Sequence, residues 1–357
     1  MVMSFLRKLL FLLIVVGATV WALRIYLSSK GLVLSDSPTE ITFMLEDPAV
    51  RRTAVPTPGM NAQAFAVNGI QPGPFMVVDL AETDSGPQRV TFLDTVPDGG
   101  WTETFKTDKL VLLRIPPGTF VMGRDMPHSH KVTLTQPFYI GVFEVTQSQY
   151  ERIIGKNPSY HKGESHPVES VSWNDLRGNS LTNNWPINRS VGETSFFGRL
   201  RALTGNQGFD LPTEAQWEFA CLGGLDGQHQ MMDIEETDRC SGNTPEGESH
   251  AVVGSYVPNG YGIYDMLGNV AEWCLDWYDD YDDAPVVDPV GPEVTGGIVS
   301  VRGKGDIINY NNYCLNGYRV VRGGNYYGKQ GEEVTRRYRL DNPGYVFFVG
   351  FRVVWNP

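Results

Sequence analysis

Cysteine is scarce in this chain. There are four, Cys221, Cys240, Cys274 and Cys314, and none follows Cys314. No two of them lie in a CxxC or similarly close spacing, which excludes a zinc-ribbon type of site. In an exported protein four cysteines allow one or two disulfides, with three full pairings. Histidine is nearly as sparse, with six scattered along the chain. Only His128 and His130 are close together, no third ligand accompanies them, and they read as decoration of an exposed loop. Positive charge is short as well: 29 Lys and Arg stand against 41 Asp and Glu, a net charge of −12. With no basic cluster to track a phosphate backbone, nucleic acid is excluded as a partner. There is no internal repeat of solenoid period and no low-complexity segment.

Long apolar runs are absent except at the N-terminus. There Arg7 and Lys8 precede fifteen uncharged residues, Leu9 to Leu23. A spanning helix needs about 20 residues, so the run suits a signal-peptide core, with cleavage after Ala22. A snorkelling Arg24 would extend it to Leu27 as an uncleaved membrane anchor, and both readings stay open. Either way the positive flank stays inside and the remainder is exported: periplasmic, cell-surface, or anchored to the inner membrane with the domain outside the cytoplasm. No cysteine follows the run, so a lipoprotein anchor is not expected. Residues 1–27 are therefore assigned to a signal or anchor carrying an N-terminal hydrophobic helix. Residues 28–107 read as a linker and a small β-rich extension, with strand-like runs such as "FMVVDL" and "RVTFLD". Residues 108–357 form the main domain. The whole chain holds 39 Gly and 23 Pro and is 11% aromatic, a mix that predicts a loop-rich fold with modest regular structure.

The main domain carries a series of landmarks. "IPPGTFVMG" (Ile115 to Gly123) is a strand entered through a Pro-Pro-Gly turn. "EVTQSQYERII" predicts a helix with Thr146 as N-cap, and "HPVESVSWNDL" another with Ser172 as N-cap. In "LPTEAQWEFAC", Thr213 and Gln216 form a capping box. "NGYGIYDMLGNVAEW", "RGGNYY" and "GFRVV" complete the series. In this order the stretches resemble the formylglycine-generating enzyme family, also called sulfatase-modifying factor domains. The resemblance implies an α+β architecture, the formylglycine-generating-enzyme-type variant of the C-type-lectin-like fold.

Enzymes of that family oxidise a sulfatase cysteine to formylglycine with molecular oxygen. Two cysteines after the "RGG" motif bind copper(I), a soft ion suited to thiolates. The corresponding positions here fall at Gly328 and at Gly331 or Glu333. The resemblance thus implies the scaffold without the oxidase centre: no catalytic residue is assigned and copper is not expected. Cys221 matches one member of a family disulfide, whose partner position is Val353 here. "LGNVAEW" matches a family calcium loop, which makes Gly268, Asn269, Val270 and Glu272 candidate ligands of a structural calcium ion. A second family calcium site matches only at Asn243 and Thr244 and is not expected. "WND" (Trp173 to Asp175) also occurs in sugar-binding lectins, but after Ser172 it predicts a helix start, with Asp175 in the first turn.

By the same resemblance, Tyr326, Tyr327, Arg336 and Arg339 border the family's substrate cleft. Tyr and Arg dominate recognition surfaces. The competing reading buries the Tyr and pairs the Arg with Glu332, Glu333 and Asp341. Lectin-fold variable proteins also end in "GFRVV", but with only Asn325 and Asn342 this segment lacks their Asn-rich character. The expected function is a non-catalytic module that binds a protein, peptide or glycan ligand. An enzyme acting on sulfatases by divergent chemistry and a structural envelope component are the alternatives.

Overall fold

A computed structural model of the chain describes residues 72–81, 86–124, 126–179, 185–224, 249–292, 318–328, 336–341, 344 and 346–357. The N-terminal apolar run, Cys240, Asn243, Thr244, Cys314, Glu332 and Glu333 lie outside these residues. Among the described residues no helix is long and apolar enough to cross a membrane.

Among the described residues three sheets and five short α-helices make an α+β domain. The largest sheet has six strands: β1 (Phe75–Asp79), β2 (Val90–Leu93), β3 (Lys109–Ile115), β6 (Phe138–Gly141), β7 (Phe209–Asp210) and β13 (Val354–Trp355). Their order is β2-β1-β3-β6-β13-β7 and every pairing is antiparallel. The β-rich segment before residue 108 is thus continuous with the main domain, since β1 pairs with β3 from Phe75↔Leu113 to Asp79↔Lys109. Successive strand residues point to opposite faces. Met76, Val78, Leu110 and Leu112 enter one core, while Phe75, Val77, Val111 and Leu113 enter the other. Cover on both faces explains why "KLVLLRI" is almost continuously apolar.

The second sheet orders β11 (Arg337–Asp341), β10 (Tyr318–Arg322), β8 (Ala271–Trp277) and β12 (Val349–Gly350). β4 (Gly118–Met122), β5 (His130–Leu134) and β9 (Val286–Val287) form a third. The helices are α1 (Thr104–Thr107), α2 (Gln147–Ile154), α3 (Trp173–Arg177), α4 (Phe196–Thr204) and α5 (Glu214–Cys221). Three of them start on complete capping boxes: Thr146 with Gln149, Ser172 with Asp175, and Thr213 with Gln216. The Asp of "WND" is thereby engaged by the Ser172 N–H and hydroxyl.

The "GFR" stretch passes through the first core. Gly350 has no room for a side chain, because a Cβ there would lie 2.4 Å from the Val168 carbonyl oxygen. Phe351 is fully buried against Phe196, Phe197 and Tyr150, with ring centroids 4.8, 6.0 and 6.3 Å away. Cys221 and Cys274 are buried thiols, and Val353, at the family disulfide's partner position, packs in the core. Truncating Phe351 to Ala is expected to cost about 3–5 kcal/mol. The readout is a fall in urea midpoint at unchanged slope, and a loss under 1 kcal/mol would contradict this packing.

Candidate functional site

Buried charge frames the site. Arg322, the arginine of "RGG", donates to Glu214 (2.8 Å) and Glu218 (2.6 Å) of α5. Arg337 of β11 donates twice to Glu214 (2.5 and 2.8 Å). Burial pushes the Glu214 carboxyl up, but Arg337 and Arg322 outweigh it and hold the group below the usual carboxylate range. Gly323 follows at φ 79, where a Cβ would lie 3.1 Å from the Met266 carbonyl oxygen and 3.2 Å from the Trp217 ring.

The four expected cleft residues divide into two sets. Tyr326 is buried; its N–H donates to the Asn269 carbonyl (2.9 Å) and its hydroxyl to the Phe347 carbonyl (3.4 Å). Tyr327 is 70% exposed and lies 6.0 Å from Phe347, which is 38% exposed; Tyr160, 75% exposed, lies 6.3 Å from Phe347 on another side. Arg336 and Arg339 stack on other rings, Arg336 over Tyr338 and Arg339 over Tyr318 and Tyr278. Tyr326 is thus a core residue and Tyr327 a surface one.

Beneath the exposed rings lies a group that the sequence did not announce. His161 stands edge-on to Tyr160 (4.9 Å) and Tyr326 (5.7 Å), and His250 contacts Tyr326, His161 and His166 at 5.6, 5.7 and 5.1 Å. Glu169 is fully buried there and accepts the His161 N–H (2.8 Å) and the Ser170 hydroxyl (2.6 Å). Burial pushes Glu169 up, yet His250, Ser170 and the His161 amide together keep it below the usual range. Burial and the neighbouring His250 lower the His161 pKa. Ser170 sits at φ 58, a conformation uncommon outside Gly, Asn and Asp that concentrates at functional sites. His166, in "HPV", and His250 are 84 positions apart, so only the fold brings them together.

The expected calcium residues lie on one buried loop. Both Glu272 oxygens accept from Arg352 (2.5–2.9 Å), and one also accepts from Trp217 Nε1 (2.8 Å). Asn269 donates to Glu144 (2.7 Å) and accepts from the Ala251 N–H (2.8 Å). Val270 donates its N–H to Glu144 (3.0 Å). The open oxygen belongs to Asp265, absent from the expected set: Oδ2 accepts from the Gly254 N–H (2.7 Å), while buried Oδ1 has no partner. Glu144, Asp265 and Glu272 thus share the Arg352 guanidinium. Burial pushes Asp265 up to about 6, and Glu272 adds to it; Glu144 is driven well up by burial, Asp265 and Glu272. Excess buried negative charge with an unpartnered oxygen fits a hard divalent cation. Among the described residues no three His, Cys, Asp or Glu side chains converge on a metal point. An ion here would therefore rest on Asp265 and on backbone carbonyls such as those of Gly268 and Val270.

Residues 102–357 match the sulfatase-modifying factor enzyme 1-like domain. The chain is similar to the protein named Chaperone protein LppX of Paenibacillus barcinonensis, 32% identical over 210 residues, 49% of this chain and 74% of that one. It is also similar to the formylglycine-generating enzyme of Streptomyces coelicolor, 37% identical over 173 residues, 44% of this chain and 46% of the enzyme. The match therefore spans less than half of that enzyme's length. Among solved structures, Treponema denticola variable protein 1 superposes with a TM-score of 0.52 at 26% identity, covering 70% of this chain and 96% of that one.

The Asp265 carboxyl has a testable pH signature. Its folded pKa lies above the unfolded value of about 3.9, so its contribution to stability is fully present below pH ~4 and is lost as pH rises toward 6. With calcium chelated, Asp265→Asn is expected to flatten the stability profile between pH 4 and 7. It should also raise stability at pH 7.5 by up to about 2–3 kcal/mol. Calcium should raise the melting temperature of the unsubstituted chain and leave that of D265N unchanged. Equal calcium shifts in both would remove the ion from this loop.

Proposed function

The chain belongs to the sulfatase-modifying factor family, and from that premise we propose that it is an exported polypeptide-binding module and does not oxidise thiols to formylglycine. The observation that carries this reading is the content of the segment after "RGG". Where the resemblance calls for copper-binding thiols the chain has Gly328 and Gly331 or Glu333, and just before them Tyr327 is exposed beside Phe347, which also neighbours the exposed Tyr160. Neither described thiol suits copper(I) chemistry at this surface. Cys221 and Cys274 are both buried, and burial holds the Cys274 thiol well above its ordinary pKa, away from the reactive thiolate. Exposed aromatic rings supply large contact area at low entropic cost, the property of a recognition surface. The relative named a chaperone protein supports a binding role. Export rests on the apolar run Leu9 to Leu23 behind Arg7 and Lys8. Calcium, in this reading, is structural: it would steady the loop whose Asn269 carbonyl holds the Tyr326 backbone.

Two measurements test the proposal. Incubating the full chain with copper(I) and a cysteine-bearing sulfatase peptide should yield no aldehyde, and aldehyde formation would overturn it. A fluorescent, permanently unfolded polypeptide such as reduced, carboxymethylated lactalbumin should bind. Tyr327→Ser with Phe347→Ser should weaken that binding about tenfold or more at unchanged melting temperature. Failure to bind the unfolded chain, or equal binding by the double variant, would sink the cleft as its site.

A further inference from the structure

Three of the chain's six histidines gather with Glu169 under the aromatic surface. Within this group His166 Nδ1 and His250 Nδ1 face each other at 3.0 Å. Two nitrogens can meet this way around one hydrogen-bonding proton or around one cation. A separation near 3.0 Å is also what two imidazoles adopt when each nitrogen lies about 2.0–2.1 Å from a shared metal and the two bonds make roughly a right angle.

The surroundings hold the pair in place. His250 is only 2% exposed, and its second nitrogen, Nε2, is buried without a hydrogen-bond partner. The group opposite Nε2 is the Glu169 carboxylate, 3.8 Å away and beyond direct hydrogen-bond distance. A proton on Nε2 facing a carboxylate leaves the Nδ1 lone pair outward, which is the arrangement that orients metal-bound histidines. Glu169 is itself fixed by the His161 amide and the Ser170 hydroxyl. The His166 ring has its place reserved too: a Cβ on Gly163 would fall 2.3 Å from the ring's Cδ2.

We propose that His166 and His250 hold a first-row divalent transition-metal ion through their Nδ1 atoms, with Glu169 as the positioning residue behind His250. The inference stands on the imidazole pair and is independent of the polypeptide-binding reading. Imidazole donors suit copper, nickel, zinc and iron, and the Irving–Williams order puts copper(II) tightest among them. The site differs from the oxygen-lined loop at Asp265 and from any thiolate centre. Since no three His, Cys, Asp or Glu side chains converge among the described residues, the remaining coordination positions fall to water or to a ligand arriving at the cleft.

The other close pair of histidines supplies the control. His128 Nδ1 is bonded to Asp283 (3.0 Å) and His130 Nδ1 to the His128 carbonyl (3.2 Å), so their Nδ1 atoms do not face each other. The experiment titrates tag-free, chelator-stripped full chain with copper(II), read by electron paramagnetic resonance and by equilibrium dialysis. Stoichiometric copper with hyperfine splitting from two imidazole nitrogens is expected. His166→Gln and His250→Gln should each erase the two-nitrogen pattern, and Glu169→Gln should weaken affinity about 10–100-fold while keeping it. His128→Gln should change nothing. The metal-free melting temperature of each variant checks its fold, and His166→Gln, at a half-buried position, keeps the test alive should His250→Gln unfold. No copper retained by the folded chain, a two-nitrogen signal surviving in folded H166Q, or one lost in H128Q would each overturn the proposal.

Discussion

A single guanidinium, that of Arg352, holds the centre of this domain together. It donates to the Gly141 carbonyl at the end of β6, to the Tyr264 carbonyl and to both oxygens of Glu272 on β8. It does so with no exposure to water, in the electrostatic reach of two further buried carboxylates. Removing a cation from water is costly unless its donors are satisfied and its charge is met, and an isolated buried carboxylate is costlier still. Each group is tolerable only because the others are in place. The loop from Asp265 to Glu272, the strand that follows it and the chain end therefore form as one unit. Tyr326 hangs from that unit through the Asn269 carbonyl, so the exposed surface beside it inherits its position from the buried charges.

Local signals were legible in the sequence because their causes are local. Thr146, Ser172 and Thr213 cap helices through bonds that reach three residues ahead, and that spacing is visible in the letters. The ordered landmarks carried the architecture and pointed to the neighbourhood of Tyr326. What stayed hidden depends on distant partners. His161, His166 and His250 look scattered until the fold juxtaposes them. Asp265 reads as an ordinary loop residue until its burial and its unpartnered oxygen are seen. Arg336, just before β11, and Arg339 on it follow the tyrosines in sequence, yet they stack on other rings.

The same backbone supports more than one chemistry because scaffold and surface are built from different residues. Arg322, Glu214, Glu218, Arg337, Glu272 and Arg352 are buried or nearly so and fix the frame. At the cleft mouth Tyr160 and Tyr327 are mostly exposed, while Phe347 between them is more than half buried.

The placement of β13 has one more consequence. This two-residue strand near the chain's end lies between β6 and β7, so the six-stranded sheet is interrupted until it arrives. Until Val354 and Trp355 pair, β7 is not joined to the four strands β2, β1, β3 and β6. Closure is therefore among the last events of folding, and it depends on pairings between segments far apart in sequence, the slowest kind to find.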